Sequence, residues 1–234
     1  MHKPAVPIEL LLLVALPSML WLASCTPDSQ PDALMTSTPV IPQTIALPEP
    51  RLEGTLTLEE ALAKRRSVRE FSSTPLTLEE TSQLLWAAQG LTHPAGYRTA
   101  PSAGALYPLE VYVVLPEGVY HYDPDGHRLD LHLSGDACPA LYAAALRQDP
   151  IMDAPAVFVI AAVYERTAVK YGKERSPRYV HLEAGHAAQN LLLQAVALDL
   201  GAVPIGAFYD DEVKKVLALP QDQQPLYLIP VGHP

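Results

Sequence analysis

Eight consecutive apolar residues, Ala156 to Val163, constrain the fold of this chain more than any other segment. A run of this length without polar alternation is typical of a strand that is buried on both faces of a sheet. Such a sheet must be covered on each side by other elements. The surrounding sequence supplies helical segments and an antiparallel hairpin, whose turn is predicted at Asp123-Pro124-Asp125-Gly126. We therefore expect an α+β fold in which helices pack around one sheet.

The helices are predicted mainly from their ends. Thr57-Leu58-Glu59-Glu60 and Thr77-Leu78-Glu79-Glu80 are capping boxes, with threonine at the N-cap and glutamate three residues later. The second helix should stop at Gly90, and a long helix should run from Tyr179 to Leu200. This long helix is apolar around much of its circumference. It also carries small residues that would let a second helix approach closely, namely Ala184, Gly185, Ala187 and Ala188. The other expected elements are strands at 110–115, within 119–133 and at 226–231, a strand or loop at 203–208, and helices at 139–147 and 210–217.

The N-terminal segment is predicted to be a targeting signal rather than part of the fold. An apolar run from Ile8 to Leu22 ends in Leu22-Ala23-Ser24-Cys25, which resembles the lipobox of a bacterial lipoprotein. Cys25 would then carry the lipid, and the mature protein would be exported and anchored to the bacterial cell membrane. The alternatives are a cleavable secretion signal and an uncleaved anchor, although the run is short for a bilayer core of roughly 30 Å.

Composition separates a tether from the folded part. Residues 26–50 are rich in Pro, Ser, Thr and Gln and hold few large side chains, so they should not bury enough surface to order themselves. The expected organisation is a lipoprotein signal peptide at 1–24, a tether at 25–54 and one domain at 55–234. The formal net charge of −10 argues against nucleic acid as a partner, because phosphate backbones bind basic surfaces.

A basic cluster stands out against this acidic background. The six positions from Lys64 to Arg69 hold four of the 16 lysine and arginine residues of the chain. A guanidinium presents a rigid fork of donors that matches a phosphate, and the hydroxyl of Ser67 adds another donor. The cluster is therefore a candidate phosphate site. The alternative is a solvated basic helix end that complements the helix dipole.

Four sequence blocks together resemble the nitroreductase family. Arg65-Arg66-Ser67-x-Arg69-x-Phe71 resembles its opening motif, and Pro101 to Pro108 resembles a flavin-contacting loop of its SagB-type branch, which oxidises azolines. Leu182 to Asn190 is similar to the central helix of that branch, and Ala202 to Phe208 is similar to the segment that lies against the flavin ring. The resemblance implies a nitroreductase-like fold, with a central, mostly antiparallel sheet flanked by helices, that forms a homodimer around FMN.

The resemblance also implies which residues bind the polar parts of FMN. Arg65 and Ser67 would hold the phosphate, with Arg66 close by. Arg69 would point at the pyrimidine edge of the ring, where a cation favours the electron-rich form of the cofactor. Family members commonly carry a basic residue that reaches the phosphate from just after the final Val-Gly segment, and this chain has His233 in that neighbourhood.

Two further groups of residues are expected at the flavin ring. The partner subunit would contribute a loop of small residues whose backbone can approach the ring closely, namely Pro101, Ser102, Ala103 and Gly104. The backbone amides of Gly206 and Ala207 would face the redox-active edge of the ring, where a donor stabilises the reduced state. Many members of the family carry an acidic side chain at the position of Gly206, and its absence matches the SagB-type branch.

Lys170 and Tyr171 resemble the Lys-Tyr pair with which the azoline-oxidising branch removes a proton while a hydride goes to the flavin. A lysine can act as a base only if burial or nearby cations lower its pKa from about 10.4. The alternative is a surface lysine beside a packed tyrosine. No metal site is expected, because His181 and His186 are not spaced as helical ligands and no third ligand is evident.

These observations predict an FMN-dependent oxidoreductase that transfers a hydride between NAD(P)H or another donor and a small organic acceptor. The alternative within enzymes is an azoline dehydrogenase acting on a peptide. An exported lipoprotein fits that reaction badly, because nicotinamides and immature peptides are both cytoplasmic. The alternative outside enzymes is a flavin-binding module that does not turn over.

Overall fold

The apolar run from Ala156 to Val163 forms an inner strand of the sheet and is buried along its whole length. The computed structural model describes residues 43–234. Within that part of the chain the strands are β1 (Thr44–Ala46), β2 (Leu109–Leu115), β3 (Gly118–Asp123), β4 (Arg128–Ser134), β5 (Ala156–Val163), β6 (Gly201–Ala202) and β7 (Gln223–Gly232). They form one sheet in the order β1-β4-β3-β2-β5-β7-β6, and all neighbouring strands are antiparallel.

Helices cover both faces of this sheet. Those of the described residues are α1 (Leu58–Lys64), α2 (Leu78–Gln89), α3 (Cys138–Ala144), α4 (Pro150–Asp153), α5 (Tyr164–Tyr171), α6 (Ser176–Ala197) and α7 (Asp210–Val216). Because side chains alternate along a strand, Phe158 and Ile160 of β5 join a core with α2 and α6, whereas Val157 and Val159 join a second core with α3 and α7. The predicted α+β fold is confirmed.

The local signals in the sequence act as expected. At Thr57 the hydroxyl accepts the Glu60 amide at 3.2 Å, and the Glu60 carboxylate accepts the Thr57 amide at 3.0 Å. Thr77 and Glu80 make the same pair of bonds at the start of α2. The predicted hairpin turn joins β3 to β4. Gly90 ends α2, and a Cβ at this position would lie 2.1 Å from Cδ1 of Trp86, so only glycine fits.

The folded unit begins before residue 55, where the tether was expected to end. Ile45 of β1 pairs with Leu129 of β4, and the Ser82 hydroxyl donates to the Pro48 carbonyl oxygen at 2.6 Å. Composition did not predict this strand, because a short edge strand needs only backbone groups that are free to pair. The prolines of the region lie outside residues 44–46, so the backbone groups of these three residues can pair. Residues 43–54 are therefore part of the fold.

The predictions for the signal peptide, for Cys25 and for most of the tether lie outside the described residues. Among residues 43–234, the helices are all too short or too polar to cross a bilayer.

Helix α6 differs from its prediction in the direction of its small residues. Ala184, Ala187 and Ala188 pack inside the chain, and only Gly185 faces outward, where an added Cβ would meet nothing within 4 Å. The outer face also carries exposed polar side chains, such as Gln189, so it is only partly apolar. The sequence overestimated the apolar surface of the helix, because the number of its leucines was considered without the face of the helix on which each one lies.

Candidate functional site

The predicted phosphate cluster and the predicted ring-facing segment meet at one edge of the sheet. The Val68 amide donates to the Ala202 carbonyl oxygen at 3.0 Å, and Ser67 forms a parallel bridge with Ala202. Gly201 permits this approach, because a Cβ there would lie 2.6 Å from Cγ1 of Val68. We call residues 65–69 and 201–207 the sheet-edge cluster.

The three arginines of the sheet-edge cluster are in different environments. The Arg66 guanidinium donates to the carbonyl oxygens of Ala63 and Arg65 at 2.7 and 2.8 Å, so it caps the end of α1. Arg69 makes one long contact of 3.5 Å with the Ser67 carbonyl oxygen, and the Arg65 guanidinium makes no hydrogen bond to another described residue. Arg65 and Arg69 are therefore available to bind an anion, whereas the guanidinium of Arg66 caps the end of helix α1.

Backbone donors are available in the same cluster. Ile205 pairs with Leu228 of β7 through hydrogen bonds of 2.8 and 3.0 Å, which holds the segment against the sheet. Beyond it, Gly206 and Ala207 are exposed, and their amides donate to no other described residue. Two guanidinium groups, a hydroxyl and two free amides suit a ligand that joins a phosphate to a flat ring with acceptor atoms. This donor set fits FMN.

His233 lies near the sheet-edge cluster, but its ring already faces a carboxylate. Its carbonyl oxygen accepts the Ser72 amide at 2.8 Å, which brings the residue near the basic segment. Its Nε2 atom, however, lies 3.7 Å from a carboxylate oxygen of Glu80, so an acceptor already faces the ring.

The predicted Lys-Tyr pair lies against the loop of small residues, which we call the small-residue loop (residues 101–107). Lys170 and Tyr171 end helix α5, an element that the sequence did not indicate because it is short and begins directly after β5. A Cβ placed on Gly104 would lie 2.9 Å from Nζ of Lys170 and 3.1 Å from the Tyr171 hydroxyl oxygen. Gly104 also has a φ of +67°, so glycine is favoured here by the backbone conformation.

The small-residue loop is held in a conformation that L-residues rarely adopt. Ala105 and Tyr107 have φ angles of 53° and 45°. The Tyr107 amide donates to Oγ of Ser102 at 2.9 Å, and its carbonyl oxygen accepts Nη1 of Arg166 at 3.1 Å. Arg166 also pairs with the Glu110 carboxylate. The loop is thus held by the side chain of Ser102 within it and by Arg166 of α5.

A buried polar group under this loop was missed at the level of sequence. Glu183 of α6 is 2% exposed, and its Oε1 atom has no hydrogen-bond partner among the described residues. Burial raises the pKa of this carboxyl to about 7, and the Ser102 hydroxyl and the charge of Arg98 oppose the rise. The available signal was the position of Glu183 on the inward stripe of α6, between Val180 and Ala187.

Residues 65–69, which lie beside Ala202, and the small-residue loop are at opposite ends of the sheet. Ala202 pairs with Val231, which pairs with Ala156 at the start of β5. At the other end of β5, the Val163 amide donates to the Pro108 carbonyl oxygen at 2.8 Å. The seven steps between the eight residues of β5, at roughly 3.3 Å each, separate the two ends by about 23 Å. Ile205 lies between these ends, because it pairs with Leu228, which pairs with Val159. One chain therefore does not bring residues 65–69 and the small-residue loop together.

Comparison with known proteins defines the family. The nitroreductase family model matches residues 62–233. The nitroreductase-like protein MJ1384 of Methanocaldococcus jannaschii is 50% identical over 182 residues, which cover 75% of this chain and 90% of that protein. The crystal structure of a nitroreductase-like protein of Ralstonia eutropha is 34% identical, with a TM-score of 0.75, over 82% of this chain and 90% of its own. The chain belongs to the nitroreductase family, whose members are generally oxidoreductases.

A third relative supports the SagB-type branch that the sequence blocks indicate. The trifolitoxin-processing protein TfxB of Rhizobium leguminosarum is 31% identical over 135 residues. The match covers 52% of this chain and 35% of TfxB, so most of TfxB has no counterpart in it.

Proposed function

We propose that the protein is an FMN-dependent oxidoreductase that transfers a hydride between NAD(P)H or another donor and a small organic acceptor. The sheet-edge cluster carries this proposal, because it concentrates free cationic and amide donors on a chain of net charge −10. Membership of the nitroreductase family supports it.

In this proposal each part of the cluster has its own task. Arg65 and Ser67 bind the phosphate, and Arg69 reaches the pyrimidine edge of the ring. The amides of Gly206 and Ala207 donate to the redox-active edge, where electron density increases on reduction. FMN, when bound, supplies the hydride chemistry. The chain supplies orientation and charge.

A homodimer would complete the site, because the small-residue loop is about 23 Å from Ala202 and the neighbouring residues 65–69 along the strands of one chain. A second copy could place its own loop, with Lys170 and Tyr171, over the ring bound by the first copy. The outer face of α6 offers a contact for that copy, since Leu182 is 55% exposed and Gly185 leaves open space beside it.

Replacing Gly185 with leucine should weaken this dimer and release FMN at the same time. An added side chain has room in the single chain, but it would overpack a close helix contact, which costs about 1–3 kcal/mol, or roughly 5- to 150-fold in dimer affinity. Analytical ultracentrifugation with detection of flavin absorbance measures both quantities. Gly185→Ala is the matched control and should remain dimeric. A Gly185→Leu monomer that still binds FMN tightly would disprove the shared site.

A peptide azoline dehydrogenase is the second candidate function. The position of Lys170 and Tyr171 against Gly104 favours it, because it places an amine and a phenol together beside the small-residue loop, with Lys170 exposed in the single chain. The similarity to TfxB, whose name describes the processing of a toxin, adds support. The expected export of the chain remains the main point against it.

Purification of the full-length chain tests the proposal directly. A yellow protein whose flavin absorbance is bleached by NAD(P)H under anaerobic conditions supports the oxidoreductase. Bleaching by an azoline peptide, but not by NAD(P)H, supports the dehydrogenase. Bound FMN that neither donor reduces would indicate a binding module, and a colourless protein that FMN does not reconstitute would refute the proposal.

We also propose that the mature chain is anchored through a lipid on Cys25, as the sequence Leu22-Ala23-Ser24-Cys25 indicates. Mass spectrometry of the membrane fraction should find a lipidated cysteine at the N-terminus. An intact Met1, or a mature chain that starts elsewhere without lipid, would contradict this.

A further inference from the structure

A glutamine side chain that the proposed function does not use contacts the ring-facing segment of the sheet-edge cluster. Gln148 lies between α3 and α4 and is partly buried. Its Nε2 atom donates to the carbonyl oxygen of Ala207 at 2.7 Å and to that of Ala145 at 2.9 Å. A carboxamide nitrogen carries two hydrogens, so both are used on backbone oxygens. Gln148 therefore joins the end of α3 to a residue whose amide is expected at the flavin ring.

The contact with Gln148 is the hydrogen bond that holds the middle of this segment. On one side Ile205 is paired with β7, and on the other the Tyr209 amide donates to the Ala144 carbonyl oxygen at 2.9 Å. Between these two anchors, the backbone groups of residues 206–208 make no other hydrogen bond with a described residue. A segment of three residues, one of them glycine, would otherwise be free to change the direction of its peptide planes.

The turn that carries Gln148 is strained. Leu146 and Arg147 both have left-handed φ angles, of 58° and 56°. This conformation costs an L-residue roughly 1–2 kcal/mol. Burial of the two side chains does not offset that cost, because Leu146 is 47% exposed and Arg147 is exposed as well. Strain of this kind is concentrated at functional sites. What the turn gains here is the direction of Gln148 towards Ala207.

We propose that Gln148 is a positioning residue of the flavin site: by holding the Ala207 carbonyl oxygen, it fixes the direction in which the amides of Gly206 and Ala207 point. The peptide group is planar and trans, so a bond to the carbonyl oxygen fixes the whole peptide between Ala207 and Phe208. With Ile205 held on β7, the two free amides lie between fixed ends. The ligand of these amides is the one in the proposed function, on which this role of Gln148 rests. Gln148 itself touches neither FMN nor the substrate and acts only through the backbone.

Fixed amides should favour the reduced flavin. Electron density at the redox-active edge increases on reduction, so a donor that already points at this edge stabilises the reduced form more than the oxidised form. Donors that must first be ordered lose part of this advantage. The phosphate lies at the other end of FMN, near Arg65 in the proposed function, so Gln148 should affect the binding of FMN and riboflavin equally.

Backbone relaxation by NMR in the full-length chain without FMN tests the positioning role directly. In Gln148→Met, which keeps a side chain of similar size but donates no hydrogen bond, the order parameters of the Gly206 and Ala207 amides should fall from about 0.85 to below about 0.6. The amides of Ile205 and Tyr209 should stay rigid, because their own backbone bonds remain. Gln148→Glu should have the same effect, since its carboxylate places an acceptor where the carbonyl oxygens need a donor.

Gln221→Glu is the matched control for the change of charge. This glutamine is exposed before β7, and its backbone oxygen accepts Nζ of Lys214. The substitution leaves that bond in place, so the order parameters and the bound flavin should keep their wild-type values.

Anaerobic spectroelectrochemical titration measures the effect on the bound cofactor. Loss of one hydrogen bond in Gln148→Met should weaken the binding of reduced FMN about 2- to 10-fold relative to oxidised FMN, which lowers the two-electron midpoint potential by about 10–30 mV. Fluorescence titration should show equal losses of affinity for FMN and for riboflavin.

Amides of Gly206 and Ala207 that stay rigid in Gln148→Met would overturn the positioning role, whatever the potential. An equal loss of order at Ile205 and Tyr209 would also overturn it, because the fold as a whole would then have loosened. A wild-type chain that binds no FMN, but in which Gln148→Met frees the two amides, would refute the proposed function and leave the hold on the backbone intact. Freed amides with FMN bound at the wild-type potential would refute only the role of Gln148 towards the flavin.

Discussion

Replacing Lys170 with methionine should slow hydride exchange between the flavin and the organic substrate by about 10²- to 10⁴-fold, which is the usual contribution of a positioned acid or base. Methionine keeps the length of the side chain but removes the group that carries the proton. The Nζ atom of Lys170 and the hydroxyl of Tyr171 lie on the same side of Gly104, each about 3 Å from the position of a Cβ built there, so the two groups are close enough to act on one substrate.

Anaerobic stopped-flow absorbance of the flavin measures this effect. Reduction by NAD(P)H requires no proton transfer from the donor carbon to a base, so Lys170→Met should leave that half-reaction unchanged. Lys173→Met is the matched control, because this lysine is exposed just after α5 and loses the same charge. An equal loss in both half-reactions would instead indicate damage to the flavin site, and no loss in either would remove Lys170 from catalysis.

Replacing Arg65 or Arg69 with alanine should lower FMN affinity about 10- to 150-fold, since each loses a hydrogen bond donated by a charged group, worth about 1.5–3 kcal/mol. If the two effects add, the double variant should lose roughly 10²- to 10⁴-fold. Arg66→Ala should have a smaller effect, because its guanidinium is bound to the Ala63 and Arg65 carbonyl oxygens.

Riboflavin separates the two arginines in the same fluorescence titration. It lacks the phosphate, so Arg65→Ala should reduce the preference for FMN over riboflavin, whereas Arg69→Ala should weaken both ligands similarly. If Arg65→Ala and Arg69→Ala left FMN affinity at the wild-type value, the assignment of the phosphate and ring contacts would be wrong.

The features that the sequence predicted well depend on short-range rules. The capping boxes at Thr57 and Thr77 need only four residues to act, and the buried strand from Ala156 to Val163 is evident from its continuous apolar composition. Both cores of the fold follow from that strand, because its alternate side chains face opposite layers. Residues 65–69 directly follow helix α1, and the fold places them beside Ala202.

The features that were missed depend on contacts distant in sequence. The residues Thr44-Ile45-Ala46 carry no strand signal of their own. They form β1 only because the edge of β4 is free to pair with them. The different tasks of Arg65 and Arg66 also follow from the end of α1, where only one guanidinium turns back onto the helix. A shared site between two copies cannot be derived from one chain by spacing alone.

Strand β1 bears on the proposed lipid anchor, because the described part of the chain enters the sheet there. It occupies the outer edge of the sheet, and β6, next to the sheet-edge cluster, occupies the opposite edge. Six spacings of about 4.8 Å place these edges about 29 Å apart. A chain that enters the domain at Gln43 therefore enters on the side remote from the sheet-edge cluster. If the proposed lipid anchor is correct, the cluster lies on the opposite side of the domain from the point of attachment, where a soluble electron donor could reach it.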